Sequence, residues 1–226
     1  MFYFKTMVQE ILVLFDYDGI IAKRDYTSKC YEKFNTSRLL RKITNLAVKA
    51  YTEGKLPPFL EPIAYLLLLY GLRGVRADEI ENYVKRTTQF YLIPGVEDAI
   101  KKLKEREIKV GIVSENIQFQ PRVAAGLLGV DVVCSNEIES KEGKLTGKIS
   151  RFSRKKKMIE EIAEKFSLGY EKIIYVGDDA DPYCLVKCVV FNPKRKSYLK
   201  RVDNKNCFLI KNYSQLLPLI EKLYES

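Results

Sequence analysis

The stretch Ile11-Leu12-Val13-Leu14-Phe15-Asp16-Tyr17-Asp18-Gly19-Ile20 decides the reading of this chain. Its apolar run, Ile11 to Phe15, has the length and unbroken hydrophobicity of a strand buried on both faces. The run then stops at two carboxylates and a glycine. Asp and Gly are turn residues, so this end taken alone leaves both a turn and a site open. The ends of the other strands shift the balance.

From Pro94 onward helix and strand alternate. A helix introduced by Pro94-Gly95 carries Val96, Ile100 and Leu103, and a strand from Ile108 to Val113 ends at Ser114. A helix near Arg122 to Leu128, a strand Val132 to Cys134 and a short hairpin around Glu142-Gly143-Lys144-Leu145 follow. The helix Lys156 to Phe166 leads into a strand Ile173 to Val176 that ends at Gly177-Asp178-Asp179. The pattern closes with a strand Val189 to Phe191, a short helix near Tyr198, a strand Phe208 to Ile210 and a helix Gln215 to Tyr224. Alternation of this kind predicts parallel βαβ units, hence an α/β fold with a Rossmann-like parallel sheet and helices on both faces.

Residues 27 to 92 carry no strand pattern. Leu39, Leu40, Ile43, Leu46, Ala47 and Ala50 recur at helical spacing, and Glu53-Gly54-Lys55-Leu56-Pro57-Pro58 breaks the chain. A second helix is expected over Leu60 to Leu72 with Pro62 in its first turn, and a third from Asp78, as N-cap, to Phe90. The expected organisation is an α/β catalytic core of residues 1–23 and 93–226 interrupted by an all-helical cap of residues 24–92.

Composition narrows the function. There is no histidine, which removes the usual general base and every Ser-His or Cys-His pair. Cys30, Cys134, Cys184, Cys188 and Cys207 are odd in number and scattered, arguing against a disulfide framework and for a reducing compartment. Cys184 and Cys188, four apart, suit packing on a helix face better than metal binding. The densest apolar segment, Ile63 to Leu69, is too short to span a bilayer, and residues 1–10 do not resemble a signal peptide. The expected location is the cytoplasm, with no membrane partner. A net charge of +10 favours anionic ligands, but no nucleic-acid-binding module accompanies it, and a solvated Lys/Glu-rich surface explains most of the charge.

Three strands thus end in polar groups: Asp16 and Asp18, Ser114, and Asp178 with Asp179. Strands of an open parallel sheet point the same way, so these groups converge on the edge where ligands bind. Clustered carboxylates raise one another's pKa unless a cation neutralises them, and an all-oxygen set without His or Cys suits magnesium.

At this point the chain resembles the haloacid dehalogenase-like hydrolases, and within them the phosphoserine phosphatase-like branch, over residues 11 to about 192. Four motifs carry the resemblance: Phe15-Asp16-Tyr17-Asp18-Gly19, Val110-Gly111-Ile112-Val113-Ser114, a lysine among Lys155, Lys156 and Lys157, and Val176-Gly177-Asp178-Asp179. The resemblance implies a magnesium-dependent phosphatase acting on a small phosphorylated metabolite. Asp16 would attack phosphorus to form an aspartyl-phosphate, and Asp18 would protonate the leaving oxygen and then activate water. Asp16, the Asp18 main-chain carbonyl and Asp178 would hold Mg2+, with Ser114 and the lysine on the phosphoryl oxygens. In that branch the lysine stands four residues before the first buried aliphatic of its helix; Ile159 is that residue, which selects Lys155.

Several positions depart from the branch. The second acid of the fourth motif is replaced by Pro182, so Asp179 or Asp181 substitutes or one outer-shell ligand is missing; Asp181 before Pro182 reads at least as well as a helix cap, which makes Asp179 the better substitute as a metal ligand. The glycine pair that follows the serine, whose backbone approaches the phosphate, is Glu115-Asn116 here. Glu115 at this phosphate-binding position either crowds or repels the phosphate, or turns away to contact another part of the substrate. Asp25 could replace the substrate-binding glutamate, but Leu60 to Leu69 holds no arginine, so free phosphoserine is not the favoured substrate. Arg73 and Arg76 read as surface residues before anion contacts, and Tyr17 as a residue that packs beneath the cap or lines the pocket. Phosphoryl transfer to another acceptor and a non-catalytic binding protein are the competing readings.

Overall fold

The computed structural model describes residues 10–37, 39–43, 46, 60–178, 186–191 and 206–224. Its centre is strand β1, Leu12–Asp16, every residue of which is buried. Strands β2 (Lys109–Ile117) and β5 (Ile173–Gly177) flank β1 on either side, both parallel to it. With β3 (Val132–Lys141), β4 (Lys144–Arg151), β6 (Lys187–Phe191) and β7 (Cys207–Ile210) they form a seven-stranded sheet of order β4-β3-β2-β1-β5-β6-β7. Among the strand pairs of the described residues only β3–β4 is antiparallel. The α/β class and the parallel sheet follow the sequence expectation.

Alternation along β1 splits the core into two layers. Val13 and Phe15 face a cluster with Val96, Ile100 and Leu103 of α4 (Val96–Glu105), Ala124 of α5 (Phe119–Leu128), and Leu216 and Ile220 of α7 (Leu216–Tyr224). Leu12 and Leu14 face the opposite cluster with Met158, Ile159 and Ile162 of α6 (Lys155–Phe166). A strand's side chains alternate with period two, so Asp16 shares the face of Leu12 and Leu14, the one covered by α6.

Between β1 and α4 the described residues form helices α1 (Asp25–Phe34), residues 39–43, α2 (Glu61–Gly71) and α3 (Ala77–Tyr91). Pro62 lies at the start of α2, as expected. Entry and exit of the segment lie side by side, where Lys23 N–H donates to the Tyr91 carbonyl and Ile93 N–H to that of Ile21. The segment is also sewn to the hairpin: Gly74 N–H donates to Leu145 O, Leu145 N–H to Val75 O and Ala77 N–H to Gly143 O, at 2.8–2.9 Å. Beneath these bonds Cys30, Leu69, Leu72, Ile80 and Val84 bury against Ile117, Phe119, Ile138 and Leu145.

The structure corrects two local expectations. Asp78 is not the N-cap of α3: Arg76 holds that position, and Asp78, in the first turn, accepts two hydrogen bonds from the Arg76 guanidinium at 2.9 and 3.0 Å. The Gly143 carbonyl already satisfies the first helical N–H, so no side-chain cap is needed. Cys188 is buried in packing, as expected, but on β6 and not on a helix face. Cys184, Asp179, Asp181, Pro182 and the helix expected near Tyr198 lie outside the described residues. Among the described residues no helix is long and apolar enough to cross a membrane.

Candidate active site

Register fixes which groups meet. Asp16 pairs with Val113, so Ser114 is the next residue beyond it on β2; Phe15 pairs with Val176, so Gly177 and Asp178 follow at the same level on β5. The three strands therefore deliver Asp16, Ser114 and Asp178 to one edge. All three are buried, Asp16 at 6%, Ser114 at 1% and Asp178 at 1% exposed.

Burying a carboxylate costs several kcal/mol unless it is paired, and each buried acid here holds a cation. Lys155, the first residue of α6, donates from Nζ to Asp16 Oδ2 at 2.7 Å and to the Tyr175 hydroxyl at 2.9 Å. Lys156 and Lys157 are exposed. The second oxygen of Asp16 accepts the Tyr17 N–H at 2.8 Å. Asp178 Oδ2 accepts from Arg24 Nε at 3.1 Å and lies 3.0 Å from Arg24 Nη2. The basic residues that neutralise this edge thus come from α6 and from the start of the helical segment.

Asp18 is held from two sides. Thr27 Oγ1, on α1, donates to its Oδ1 at 2.8 Å, and Asn116 Nδ2 donates to its Oδ2. The Asn116 main-chain N–H donates to Ser114 Oγ at 3.1 Å, tying the two motif residues together. Glu115 turns its carboxylate to the start of α6: Oε1 accepts the Lys155 main-chain N–H at 3.1 Å and Oε2 pairs with Arg154 at 2.9 Å. Its main-chain carbonyl accepts from Asn136 Nδ2 at 2.7 Å and from the Tyr65 hydroxyl of α2 at 3.3 Å.

Two aromatic residues that the sequence reading missed frame the site. Tyr175 curls over Gly177, where an added Cβ would come within 2.4 Å of its ring; only glycine leaves that space. Tyr213 donates to the Ile20 carbonyl at 2.5 Å, pinning the turn after Asp18. Burial, with a smaller contribution from the charge of Asp16, pushes the Tyr213 phenol well above its ordinary pKa. Tyr17 is fully buried, as expected for a packing residue, and burial raises its phenol likewise, with the nearby Asp18 adding to the shift.

Other candidates lie elsewhere. Asp25 is exposed and pairs with Lys29 at 2.6 Å, Arg76 is committed to Asp78, and Arg73 lies over the Tyr70 ring. Among the described residues no three His, Cys, Asp or Glu side chains gather as a metal cluster. The oxygen donors the site offers are the buried carboxylates Asp16 and Asp178, each paired with a basic side chain. An oxygen-only donor set of that size fits Mg2+, which retains several waters.

A family model for haloacid dehalogenase-like hydrolases matches residues 13–181. The chain belongs to that family. A phosphoserine phosphatase of Methanocaldococcus jannaschii is 28% identical over 180 residues, covering 78% of this chain and 81% of the relative. One of Archaeoglobus fulgidus is 26% identical over 191 residues, covering 81% of this chain and 53% of the relative. Among solved structures, a phospho-aspartyl intermediate analogue of phosphoserine phosphatase superposes with a TM-score of 0.68 at 22% identity, covering 93% of this chain and 98% of that one. These haloacid dehalogenase-like relatives are phosphoric monoester hydrolases, the enzyme class expected from the four motifs.

Proposed function

We propose that the chain is a magnesium-dependent phosphatase that hydrolyses a small phosphorylated metabolite through an aspartyl-phosphate on Asp16. The observation that carries the reading is the Lys155–Asp16 contact of 2.7 Å at the sheet edge where Ser114 and Asp178 also end. Asp16 attacks phosphorus in line; the P–O bond to the leaving group breaks as the Asp16–P bond forms. Asp18 gives its proton to the leaving oxygen, then takes one from the water that cleaves the aspartyl-phosphate. Ser114 and Lys155 hold the phosphoryl oxygens as charge shifts among them. Glu115 contributes through its main chain, its carboxylate being engaged by Arg154 and the α6 terminus. Asp16, the Asp18 carbonyl, Asp178 and Asp179 are the ligands assigned to Mg2+, which when bound offsets the repulsion between anionic nucleophile and anionic phosphate.

The helical segment, residues 24–92, acts as the cap over this edge, excluding water from the reacting phosphate. Two residues of the segment, Arg24 and Thr27, already reach the site acids, which supports that role. Free phosphoserine is not the favoured substrate, because α2 offers no arginine and Asp25 is exposed.

The test is release of inorganic phosphate from para-nitrophenyl phosphate, with and without Mg2+, by wild type and Asp16→Asn. Magnesium-dependent release that disappears in the variant is expected. Undiminished release by Asp16→Asn overturns the assignment of the nucleophile. Product analysis with alcohol acceptors separates hydrolysis from phosphoryl transfer.

A further inference from the structure

Arg24 has no part in the reaction as described, yet it bonds to one of its central acids. Two guanidinium nitrogens lie 3.0 and 3.1 Å from one oxygen of Asp178, a carboxylate buried at the end of β5. The arginine comes from the N-terminal end of α1 and reaches the site past Gly19. A Cβ on Gly19 would lie 2.7 Å from Arg24 Nε and 3.1 Å from Asp178 Oδ2, and its φ of +79° suits glycine alone. The first motif therefore leaves the passage through which Arg24 crosses. The two partners differ in exposure: the Asp178 side chain is 2% exposed and that of Arg24 31%. The arginine can withdraw toward solvent; the aspartate cannot.

From this geometry, and resting on the magnesium reading above, we infer that Arg24 is a built-in competitor of the divalent cation for Asp178. Asp178 Oδ2 accepts the Arg24 Nε–H and has a second guanidinium nitrogen beside it at 3.0 Å, so that oxygen is turned to the arginine, and coordinating a metal through it requires the pair to break. The metal-competent state is then only a fraction of the metal-free protein, and apparent affinity falls by that fraction. The positive charge of Arg24 adds repulsion in the same direction. Once displaced, the guanidinium remains at the rim and favours an anionic ligand. The arrangement makes metal affinity lower, and more dependent on the phosphorylated substrate, than the carboxylates alone would give.

The test is calorimetric titration of MgCl2 into wild type, Arg24→Gln and Arg24→Lys, with thermal unfolding of each with and without saturating MgCl2. Arg24→Gln should bind Mg2+ about ten-fold more tightly, the equivalent of losing one charge-assisted pair, with Arg24→Lys between the two. Without Mg2+ Arg24→Gln should melt below wild type, since Asp178 loses its partner, and saturating Mg2+ should close or reverse that gap. Equal or weaker Mg2+ binding by Arg24→Gln overturns the inference while leaving the magnesium site standing. A deficit in melting temperature that persists unchanged at saturating Mg2+ gives Arg24 a merely structural role and also overturns it. Absence of Mg2+ binding in wild type and both variants defeats the magnesium reading and this inference with it.

Discussion

The hydroxyl of Tyr175 lies 2.9 Å from the ammonium nitrogen of Lys155. The lysine has donors only, so the phenol oxygen accepts, and it does so within reach of the same ammonium that meets Asp16. Tyr175→Phe keeps the ring over Gly177 and removes the acceptor. The expected result is a native fold with kcat/KM lowered about five-fold, the worth of roughly 1 kcal/mol for one hydrogen bond. Steady-state kinetics beside a thermal melt checks it.

Asn116 holds Asp18 by a side-chain amide, and Thr27 holds the other oxygen. Asn116→Ala should lower kcat by about ten-fold with little change in KM, because the acid is misplaced while the phosphate contacts persist. Asn116→Asp puts a carboxylate against Asp18 and should cost more than the alanine. Equal kcat in all three proteins would remove Asn116 from the positioning of Asp18.

Glu115 serves α6 as a cap. Its carboxylate accepts the first helical N–H and sits at the positive end of the helix, paired with Arg154. Glu115→Ala should destabilise the protein by about 1 kcal/mol, lowering Tm by roughly 2–4 °C for a chain of this size. Glu115→Gln, which retains an acceptor, should lose less. Differential scanning calorimetry decides.

Alkaline pH should weaken the fold through Cys30. Burial pushes its thiol from 9.0 up to about 12, so the folded protein keeps the proton that the unfolded chain releases above pH 9. Stability contributed by this group is complete below pH 9 and declines as pH rises toward 12, by up to about 1.4 kcal/mol per pH unit. Urea midpoints measured from pH 7 to 11 should fall from about pH 9, and less steeply in Cys30→Ala.

What the sequence disclosed, and what it hid, follows the range of the interactions. The run Ile11 to Phe15 and the strands ending at Ser114 and Asp178 are local patterns, and their registers on β1 turn out level. The family resemblance selects Lys155 from the run Lys155 to Lys157, and Lys155 donates to Asp16. Arg24 and Asp178 are 154 positions apart, and Asn116 and Asp18 are 98 apart; no local pattern announces either pair. The sequence marked Asn116 only as a missing glycine. Strand β3 runs to Lys141, well past the expected Cys134, because Ser135 and Asn136 are buried polar residues that break the apolar alternation used to recognise a strand.

Strand β4 is an outermost strand of the sheet, and its free flank is met by residues 74–77 through the bonds of Gly74, Leu145 and Ala77. An uncovered strand edge is a template for pairing with another molecule. The clasp that anchors the helical segment therefore also shields the start of β4, at Leu145, against intermolecular strand addition. Substitutions that loosen it, such as Val75→Pro, would be felt first as self-association on heating, before any change at the acids across the sheet.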